Sequence, residues 1–138
     1  MVSFIIKAFF LACMEFIIID DSVFDLFTQE KLLMRSGLAT KVQTFGSPQH
    51  ALDYLNLHME AICDTVILLD LQMPGLNGFE FTEQYALLPE NVKKHIRIFM
   101  ISSTVDTSDI EEAESNPHII KLLSKPLEIP VLRTLLNG

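Results

Sequence analysis

The clearest indication of the fold of this chain is the segment Thr65-Val-Ile-Leu-Leu-Asp-Leu-Gln-Met-Pro-Gly-Leu-Asn-Gly78. Its continuous apolar run is typical of a strand buried on both faces, as the strands of parallel sheets are. The run ends at Asp70, and Pro74 and Gly75 mark the loop that follows. We therefore predict a central buried strand with a carboxylate at its end, then a loop, then a helix that begins at Gly78.

The rest of the chain repeats this alternation of strand and helix. Strands separated by helices imply a parallel sheet with right-handed crossovers and helices on both faces. The fold class is thus α/β, a doubly wound five-stranded parallel sheet of the (βα)5 type. The predicted order is strand 15–20, helix 22–36, strand 41–45, helix 47–59, strand 65–69, helix 78–88, strand 96–101, helix 108–115, strand 119–123 and helix 130–136.

Apolar stripes predict which faces of the first and last helices point inward. Ser108 and Glu111 fit a capping box at the start of the fourth predicted helix. The inward stripes contain Val23, Leu26, Phe27 and Leu33 in the first helix and Val131, Leu132, Leu135 and Leu136 in the last.

Composition limits the classes of function. The chain has 138 residues, which suits one domain with a sizeable core. Its 18 acidic and 10 basic residues give a formal net charge of −8, which disfavours a nucleic-acid binder because neutralising phosphates requires clustered Lys and Arg. No apolar run approaches the roughly 18 residues needed to span a bilayer, and two Cys cannot form a disulfide scaffold. We therefore expect a cytoplasmic protein without a membrane span.

The first 14 residues differ from the rest, because twelve of them are apolar. A secretory signal is one interpretation, but Lys7 lies mid-segment and no small-x-small cleavage site stands clear of the following strand. An interfacial anchor or a partner-binding arm is a second interpretation. We favour a third, an artefact of start-site assignment or expression with Met14 as the natural start. Residues 1–14 are thus predicted to be an extension to a domain over residues 15–138, and an ordered extension would favour a homodimer contact.

Polar side chains stand at the carboxyl ends of four predicted strands. Ligands of open parallel α/β sheets bind beyond these ends, near the point where the strand order reverses. We therefore expect these side chains to form one site. They are Asp20 and Asp21 after the first strand, Asp70 after the third, Ser102 after the fourth and Lys125 after the fifth.

The chemistry of this set suits a divalent cation and a phosphoryl group. Three neighbouring carboxylates repel one another unless a cation lies among them, and Mg2+ fits because it prefers oxygen ligands and keeps several waters. An ammonium and a hydroxyl nearby would complete the requirements of phosphoryl transfer onto a carboxylate, which are mainly positioning and charge neutralisation. Singly, the Asp20-Asp21 pair could be a helix cap and Lys125 a solvated charge. Their convergence favours the site.

Four motifs at these strand ends make the chain resemble the receiver domains of two-component response regulators. The resemblance covers residues 15–137 and implies the flavodoxin-like fold with strand order 2-1-3-4-5. Each motif alone is common, whereas all four in order and at the right strand ends are specific. They are Phe16-Ile-Ile-Ile-Asp-Asp-Ser22, Leu69-Asp-Leu-Gln-Met-Pro-Gly-Leu-Asn-Gly78, Ile98-Phe-Met-Ile-Ser-Ser103 and Leu123-Ser-Lys-Pro-Leu127.

The resemblance implies a phosphoacceptor and a metal site. Asp70 would accept the phosphoryl group and form an acyl phosphate. Asp21 and Asp70 would bind Mg2+ directly, Asp20 through water, and Gln72 through its backbone carbonyl.

The resemblance also implies two ligands of the phosphoryl group. Ser102 would contact one phosphoryl oxygen and swing toward it on activation, and Lys125 would pair with another. The peptide bond between Lys125 and Pro126 would be cis.

Two positions depart from the family pattern. The family's switch aromatic lies three residues before the Lys, where this chain has Leu122. The usual coupling, in which movement of the hydroxyl lets an aromatic turn inward, therefore lacks its side chain here. Ser103 stands where a small residue, often Ala, is typical, and we expect it to be tolerated.

The function implied is that of a stand-alone response regulator, because only the last helix follows Lys125-Pro126. It would take a phosphoryl group from a sensor histidine kinase or a histidine phosphotransferase, then signal to a downstream protein by a surface change or pass the group on. It would not be an enzyme beyond its own phosphorylation and dephosphorylation. The alternative is a receiver-fold adaptor that binds its partner without phosphorylation, which Leu122 favours. An Asp-nucleophile phosphatase is disfavoured, because Asp70-Leu-Gln72 lacks a second acid two residues on.

Overall fold

The computed structural model describes residues 14–61 and 63–137, and within these ranges five strands form one parallel sheet. The strands are β1 (Met14–Ile19), β2 (Lys41–Phe45), β3 (Asp64–Asp70), β4 (Ile96–Ser102) and β5 (Ile119–Ser124). The helices are α1 (Val23–Ser36), α2 (Pro48–Leu57), α3 (Gly78–Tyr85), α4 (Glu90–Lys93), α5 (Thr107–Ser115) and α6 (Ile129–Asn137), with a 3-10 turn at Met59–Ala61. The strand order is β2-β1-β3-β4-β5, which confirms the predicted fold.

Strand β1 begins at Met14, the last residue of the predicted N-terminal extension. Met14 is the first residue of β1 and pairs with Asp64 of β3, and its carbonyl accepts hydrogen bonds from the N–H and the hydroxyl of Thr40. The other residues of the predicted extension, 1–13, lie outside the described residues. Among the helices of the described ranges, none has the length and apolarity needed to cross a membrane.

The sheet separates two apolar cores. Alternate residues of its strands point to opposite faces, so that Ile17 and Ile67 enter one core while Phe16 and Val66 enter the other. Residues of α2, α3, α4 and α5 close the first core, and residues of α1 and α6 close the second. Because helices bury both faces, the central strands are continuous apolar runs, and this is the pattern that made β3 evident in the sequence.

The buried face of α1 differs from the prediction. Leu33 is fully buried as expected, but Val23 is 80% exposed and Phe27 is 58% exposed. The inward stripe runs through Leu26, Gln29 and Leu33, and the polar side chain at its centre interrupts the hydrophobic pattern. The inward placement of Val23 and Phe27 was therefore wrong.

Two details of the last helices also differ. Val131 is 41% exposed, because it lies about 100° around α6 from the fully buried Leu132, so its inward placement was wrong. Helix α5 is capped by Asp106, whose side chain accepts a hydrogen bond of 2.9 Å from the Asp109 N–H. The predicted cap, Ser108, instead donates its hydroxyl to Asp106 at 2.8 Å. The capping-box assignment was wrong because either residue type can cap a helix, and the chain enters the helix two residues earlier.

The third predicted helix is shorter than expected and is followed by an additional one. Helix α3 ends at Tyr85 rather than at residue 88. Pro89 then stands in extended conformation at the N-cap of the four-residue α4. Pro89 was predicted only to end a helix, and here it also begins one, because its fixed φ suits the start of a helix.

Candidate functional site

The carboxyl ends of β1 and β3 bring three aspartates together. Asp20 and Asp21 follow β1, Asp70 ends β3, and the two strands are paired neighbours in the sheet. One carboxylate oxygen from each aspartate lies within 4.8 Å of the others. Asp20 is fully buried, Asp70 is 5% exposed, and Asp21 is open to solvent. The structure thus gathers the three carboxylates that the sequence placed at these strand ends.

Nearby backbone amides orient the two buried carboxylates. The Oδ1 atom of Asp20 accepts a hydrogen bond from the Ser22 N–H at 2.9 Å, and Oδ1 of Asp70 accepts one from the Gln72 N–H at 3.2 Å. The side chain of Gln72 itself is exposed. Because these two hydrogen bonds are made to the Oδ1 atoms, the Oδ2 atoms of Asp20 and Asp70 are left to contact Lys125.

The three aspartates fit a hard divalent cation. Two protein oxygens bound to the same Mg2+ lie roughly 3 to 4 Å apart, given metal–oxygen distances near 2 Å. The observed limit of 4.8 Å is close enough for small side-chain rotations to close. The donor set consists of carboxylate oxygens, and the exposure of Asp21 leaves room for the waters that Mg2+ retains.

Lys125 lies just past β5, and its ammonium contacts three carboxylates. Its backbone N–H donates to the Ser102 carbonyl at 2.8 Å, which extends the pairing of β4 and β5 by one residue. Its Nζ atom lies 2.7 Å from Oδ2 of Asp20, 2.8 Å from Oδ2 of Asp25 and 3.5 Å from Oδ2 of Asp70. The peptide bond between Lys125 and Pro126 is cis, as the resemblance implied.

Asp25 is the residue of this site that the sequence analysis missed. It lies in the first turn of α1, and its N–H donates to the Oγ of the N-cap Ser22 at 3.2 Å. In the sequence, Ser22 followed three residues later by an acid is typical of a helix start, and this local role accounts for Asp25 without a distant partner. The available signal was its position one helical turn after Asp21, on a helix that begins at the site.

Ser102 is present at the end of β4, but its hydroxyl faces the following loop. The side chain is fully buried, and its Oγ donates to the Thr104 carbonyl at 2.8 Å and accepts from the Thr104 N–H at 3.2 Å. These two hydrogen bonds tie the hydroxyl to the backbone of the loop. Ser103, the next residue, is exposed.

Leu122, at the position that departs from the family pattern, lies in β5 on the side of α5. It is half-buried and packs against the larger of the two cores. Together with Val105 and Ile110, it lines a cavity of about 390 Å³ between β5 and α5. The aliphatic side chain of Leu122 therefore occupies part of the space that an aromatic side chain would occupy at this position.

Burial and neighbouring charges shift the ionisation of the two central groups. Burial and the Asp20 carboxylate raise the pKa of Asp70 to about 6, although the Lys125 ammonium and the Gln72 N–H act in the opposite direction. Burial alone would lower the pKa of Lys125, but hydrogen bonds to Asp20 and Asp25 and the charge of Asp70 raise it above its usual range. The site thus holds the permanently charged Lys125 ammonium among carboxyl groups, one of which, Asp70, loses its proton at a higher pH than usual.

Comparison with known proteins places the chain in a family. The family model of the response regulator receiver domain matches residues 16–137. The chain therefore belongs to the response regulator receiver domain family, which acts in two-component signalling. It is 34% identical over 93 residues to the cyclic di-GMP phosphodiesterase response regulator RpfG of Xanthomonas campestris pv. campestris (strain 8004). That match covers 67% of the chain and 23% of the curated relative, so the chain spans about a quarter of that protein.

Solved structures agree with this assignment. A response regulator receiver protein from Dyadobacter fermentans DSM 18053 is 69% identical, with a TM-score of 0.86 over 90% of this chain and 95% of that one. A two-component response regulator from Cytophaga hutchinsonii is 25% identical, with a TM-score of 0.82 over 91% and 95%. The CheX-CheY-BeF3-Mg+2 complex from Borrelia burgdorferi matches at 20% identity and a TM-score of 0.70 over 89% and 86%, and this likeness shows the fold alone.

Proposed function

We propose that this receiver domain accepts a phosphoryl group on Asp70, with Mg2+ as its cofactor. The donor would be a phosphohistidine on a sensor histidine kinase or a histidine phosphotransferase, and the domain would act in the cytoplasm. The observation that carries the proposal is the convergence of Asp20, Asp21 and the Lys125 ammonium around the buried carboxylate of Asp70. Phosphoryl transfer onto a carboxylate requires mainly positioning and charge neutralisation, and this set supplies the groups for both.

In the transfer, a carboxylate oxygen of Asp70 would attack the phosphorus of the phosphohistidine. A new O–P bond forms and gives an acyl phosphate, while the P–N bond breaks. The imidazole nitrogen leaves with the bonding electron pair and is neutralised by a proton from solvent. Asp70 must be ionised to attack, and with a pKa of about 6 it is ionised in most molecules at neutral pH.

Four residues would hold the Mg2+. Asp21 and Asp70 would bind it directly, Asp20 through water, and Gln72 through its backbone carbonyl. When bound, the ion supplies positive charge that offsets the repulsion among the carboxylates and the charge of the phosphoryl oxygens.

Ser102 and Lys125 would contact the phosphoryl oxygens. Lys125 already lies 3.5 Å from Asp70, so its ammonium is close to where a phosphoryl group on that residue would stand. Ser102 would have to give up its hydrogen bond to the Thr104 carbonyl before its hydroxyl could donate to a phosphoryl oxygen. Loss of that bond would release the loop that leads into α5, which provides a physical route from the site to the surface.

The surface formed by α5, β5 and α6 would carry the signal to a downstream protein, unless the phosphoryl group is passed on. Ile110, Ile120 and Val131 are exposed there. A second candidate function is a receiver-fold adaptor that binds its partner independently of phosphorylation. The packing of Leu122 against the core favours it, because no aromatic side chain is available at that position to change its orientation on activation.

Exposure to a small phosphodonor tests the proposal. The full chain is incubated with acetyl phosphate and MgCl2 and its mass is measured, in parallel with Asp70→Asn and with Asp109→Asn, an acid in the first turn of α5. We expect the mass of one phosphoryl group on the wild type and on Asp109→Asn, and none on Asp70→Asn or in the presence of EDTA. An unmodified wild type contradicts the proposal and favours the adaptor, and equal modification of Asp70→Asn rules out Asp70 as the acceptor.

A further inference from the structure

A fourth carboxylate, that of Asp25, shares the ammonium of Lys125 with the site. The Nζ–Oδ2 distance to Asp25 is 2.8 Å, nearly equal to the 2.7 Å to Asp20 and shorter than the 3.5 Å to Asp70. Asp25 does not belong to the group of oxygens clustered within 4.8 Å of one another. It is therefore a partner of the ammonium that is not among the candidate metal ligands.

The geometry draws Lys125 toward α1. An ammonium has three N–H donors, and its two short contacts are to Asp20 and Asp25, at the end of β1 and the start of α1. The longest contact is to Asp70 of β3. Because the Asp25 backbone is fixed by its hydrogen bond to the Ser22 cap, the position of this carboxylate is set by the start of the helix.

We propose that Asp25 is a positioning residue that holds the Lys125 ammonium away from Asp70 in the resting protein. The inference rests on the proposed function, since it concerns how that site shares its one lysine. With Asp25 charged, Lys125 leans toward α1 and leaves Asp70 more accessible to a divalent cation. A phosphoryl group on Asp70 then has to draw Lys125 away from Asp25.

Removal of the Asp25 charge has opposite effects on two ligands. Lys125 is then left with Asp20 and Asp70, which are also candidate cation ligands, so it competes with Mg2+ and Mg2+ binds more weakly. Once Mg2+ is saturating, a phosphoryl analogue binds more tightly, because Lys125 is no longer held by Asp25 and one negative charge near the anion is gone. Damage to the fold would instead lower the affinity for both ligands.

Asp25→Asn and a matched variant, Asp109→Asn, separate these effects from a change in the helix start. Both residues lie in the first turn of a helix, and both donate their N–H to the side chain of the N-cap, at 3.2 Å for Asp25 and 2.9 Å for Asp109. The effect of losing the first-turn charge on the helix is therefore similar in the two variants. Asp25→Glu keeps the charge and is expected to return both affinities toward those of the wild type.

Two NMR titrations of the full chain provide the measurement, one with MgCl2 alone and one with beryllofluoride at saturating MgCl2. The signal of the Lys125 ammonium is followed as a direct report on its partners. For Asp25→Asn we expect affinity for Mg2+ to fall and affinity for beryllofluoride to rise, each by about three- to tenfold, since the pair is partly exposed. The ammonium signal should shift in Asp25→Asn and stay in place in Asp109→Asn.

The wild type is expected to bind both ligands. If it does, and the two affinities of Asp25→Asn are unchanged or fall together, the inference is overturned. A wild type that binds Mg2+ but no beryllofluoride contradicts the proposed function, and the inference falls with it. The two failures are therefore distinguished by the behaviour of the wild type.

Discussion

The Asp70 carboxylate is held in an environment that opposes its charge. It is 5% exposed and lies beside the fully buried Asp20, which carries the same charge. These two causes raise its pKa to about 6 even though Lys125 acts in the opposite direction. Above that pH, Asp70 is ionised in the folded state. Its charge then has a higher free energy in the folded state than in the unfolded chain. The residue proposed as acceptor therefore weakens the fold that positions it.

We expect Asp70→Asn to raise the free energy of unfolding at about pH 7.5 in EDTA by on the order of 1 to 3 kcal/mol, since each pKa unit corresponds to about 1.4 kcal/mol. The pKa of Asp70 in the folded state lies above the ordinary value of 3.8, so the folded state binds this proton more tightly than the unfolded chain does. This stabilises the wild type fully below pH 3.8, and the effect is lost as the pH rises through about 6. The advantage of the variant should thus shrink between about pH 7.5 and about pH 4.5. Urea denaturation at both pH values measures it, with the exposed Asp53→Asn as control. A variant less stable than the wild type at the higher pH would contradict the expectation.

The connection from β3 to α3 packs the start of a helix directly on the backbone of Asp70. The N–H of Gly78 donates to the Leu71 carbonyl at 3.2 Å. A Cβ atom on Gly78 would lie 3.2 Å from the Asp70 carbonyl oxygen and 3.0 Å from the Cε atom of Met100. A side chain at this position would therefore push on the strand end that holds the carboxylate.

Gly78→Ala is expected to lower the free energy of unfolding by about 1 to 3 kcal/mol, because two of the three close contacts are with backbone atoms, those of Asp70 and Leu71, which cannot turn aside as the end of the Met100 side chain can. Gly46→Ala is the matched control, since a Cβ atom there meets nothing within 4 Å and its φ is not positive. The control should change the stability little or raise it by less than about 1 kcal/mol. Urea denaturation of both variants checks the difference, and equal effects would show that the space at Gly78 is not limiting.

The parallel sheet as a whole assembles the site from distant parts of the chain. Lys125 lies 105 residues from Asp20 and 55 residues from Asp70 in sequence, yet its ammonium reaches both. Parallel strands end at the same edge, and the order reverses between β1 and β3, which is where open parallel α/β sheets bind their ligands. A ligand bound there contacts several strands at once and stabilises the folded state as a unit.

MgCl2 is therefore expected to raise the thermal stability of the whole domain. A ligand at one hundred times its dissociation constant adds about 2.7 kcal/mol to the free energy of unfolding. The effect should diminish at about pH 5, where Asp70 binds a proton in most folded molecules. Thermal denaturation in MgCl2 and in NaCl of equal ionic strength measures it. Asp21→Asn, which changes an exposed side chain, should lose most of the effect, and an undiminished response in that variant would mean that the ion binds elsewhere.

The alternation of elements could be predicted because the central strands are buried on both faces and each ends in a polar residue. The inward face of α1 could not, because Gln29 lies at its centre while Val23 and Phe27 are exposed to solvent. A hydrophobic pattern records which residues are apolar, whereas burial depends on how the helix is rotated against the sheet. The cap of α5 was missed for a related reason, since two residues of capping type stand two positions apart.

The side chains at the carboxyl edge of the sheet could be identified from the sequence alone, because a strand and the residue that ends it are local features. The sequence placed Asp20, Asp21 and Asp70 together in this way. The carboxylates that share Lys125 are evident only in the folded molecule, since Asp25 in sequence is an ordinary first-turn acid 100 residues away. Ion pairs between distant segments depend on how the strands and helices pack in space, and no local pattern encodes that geometry.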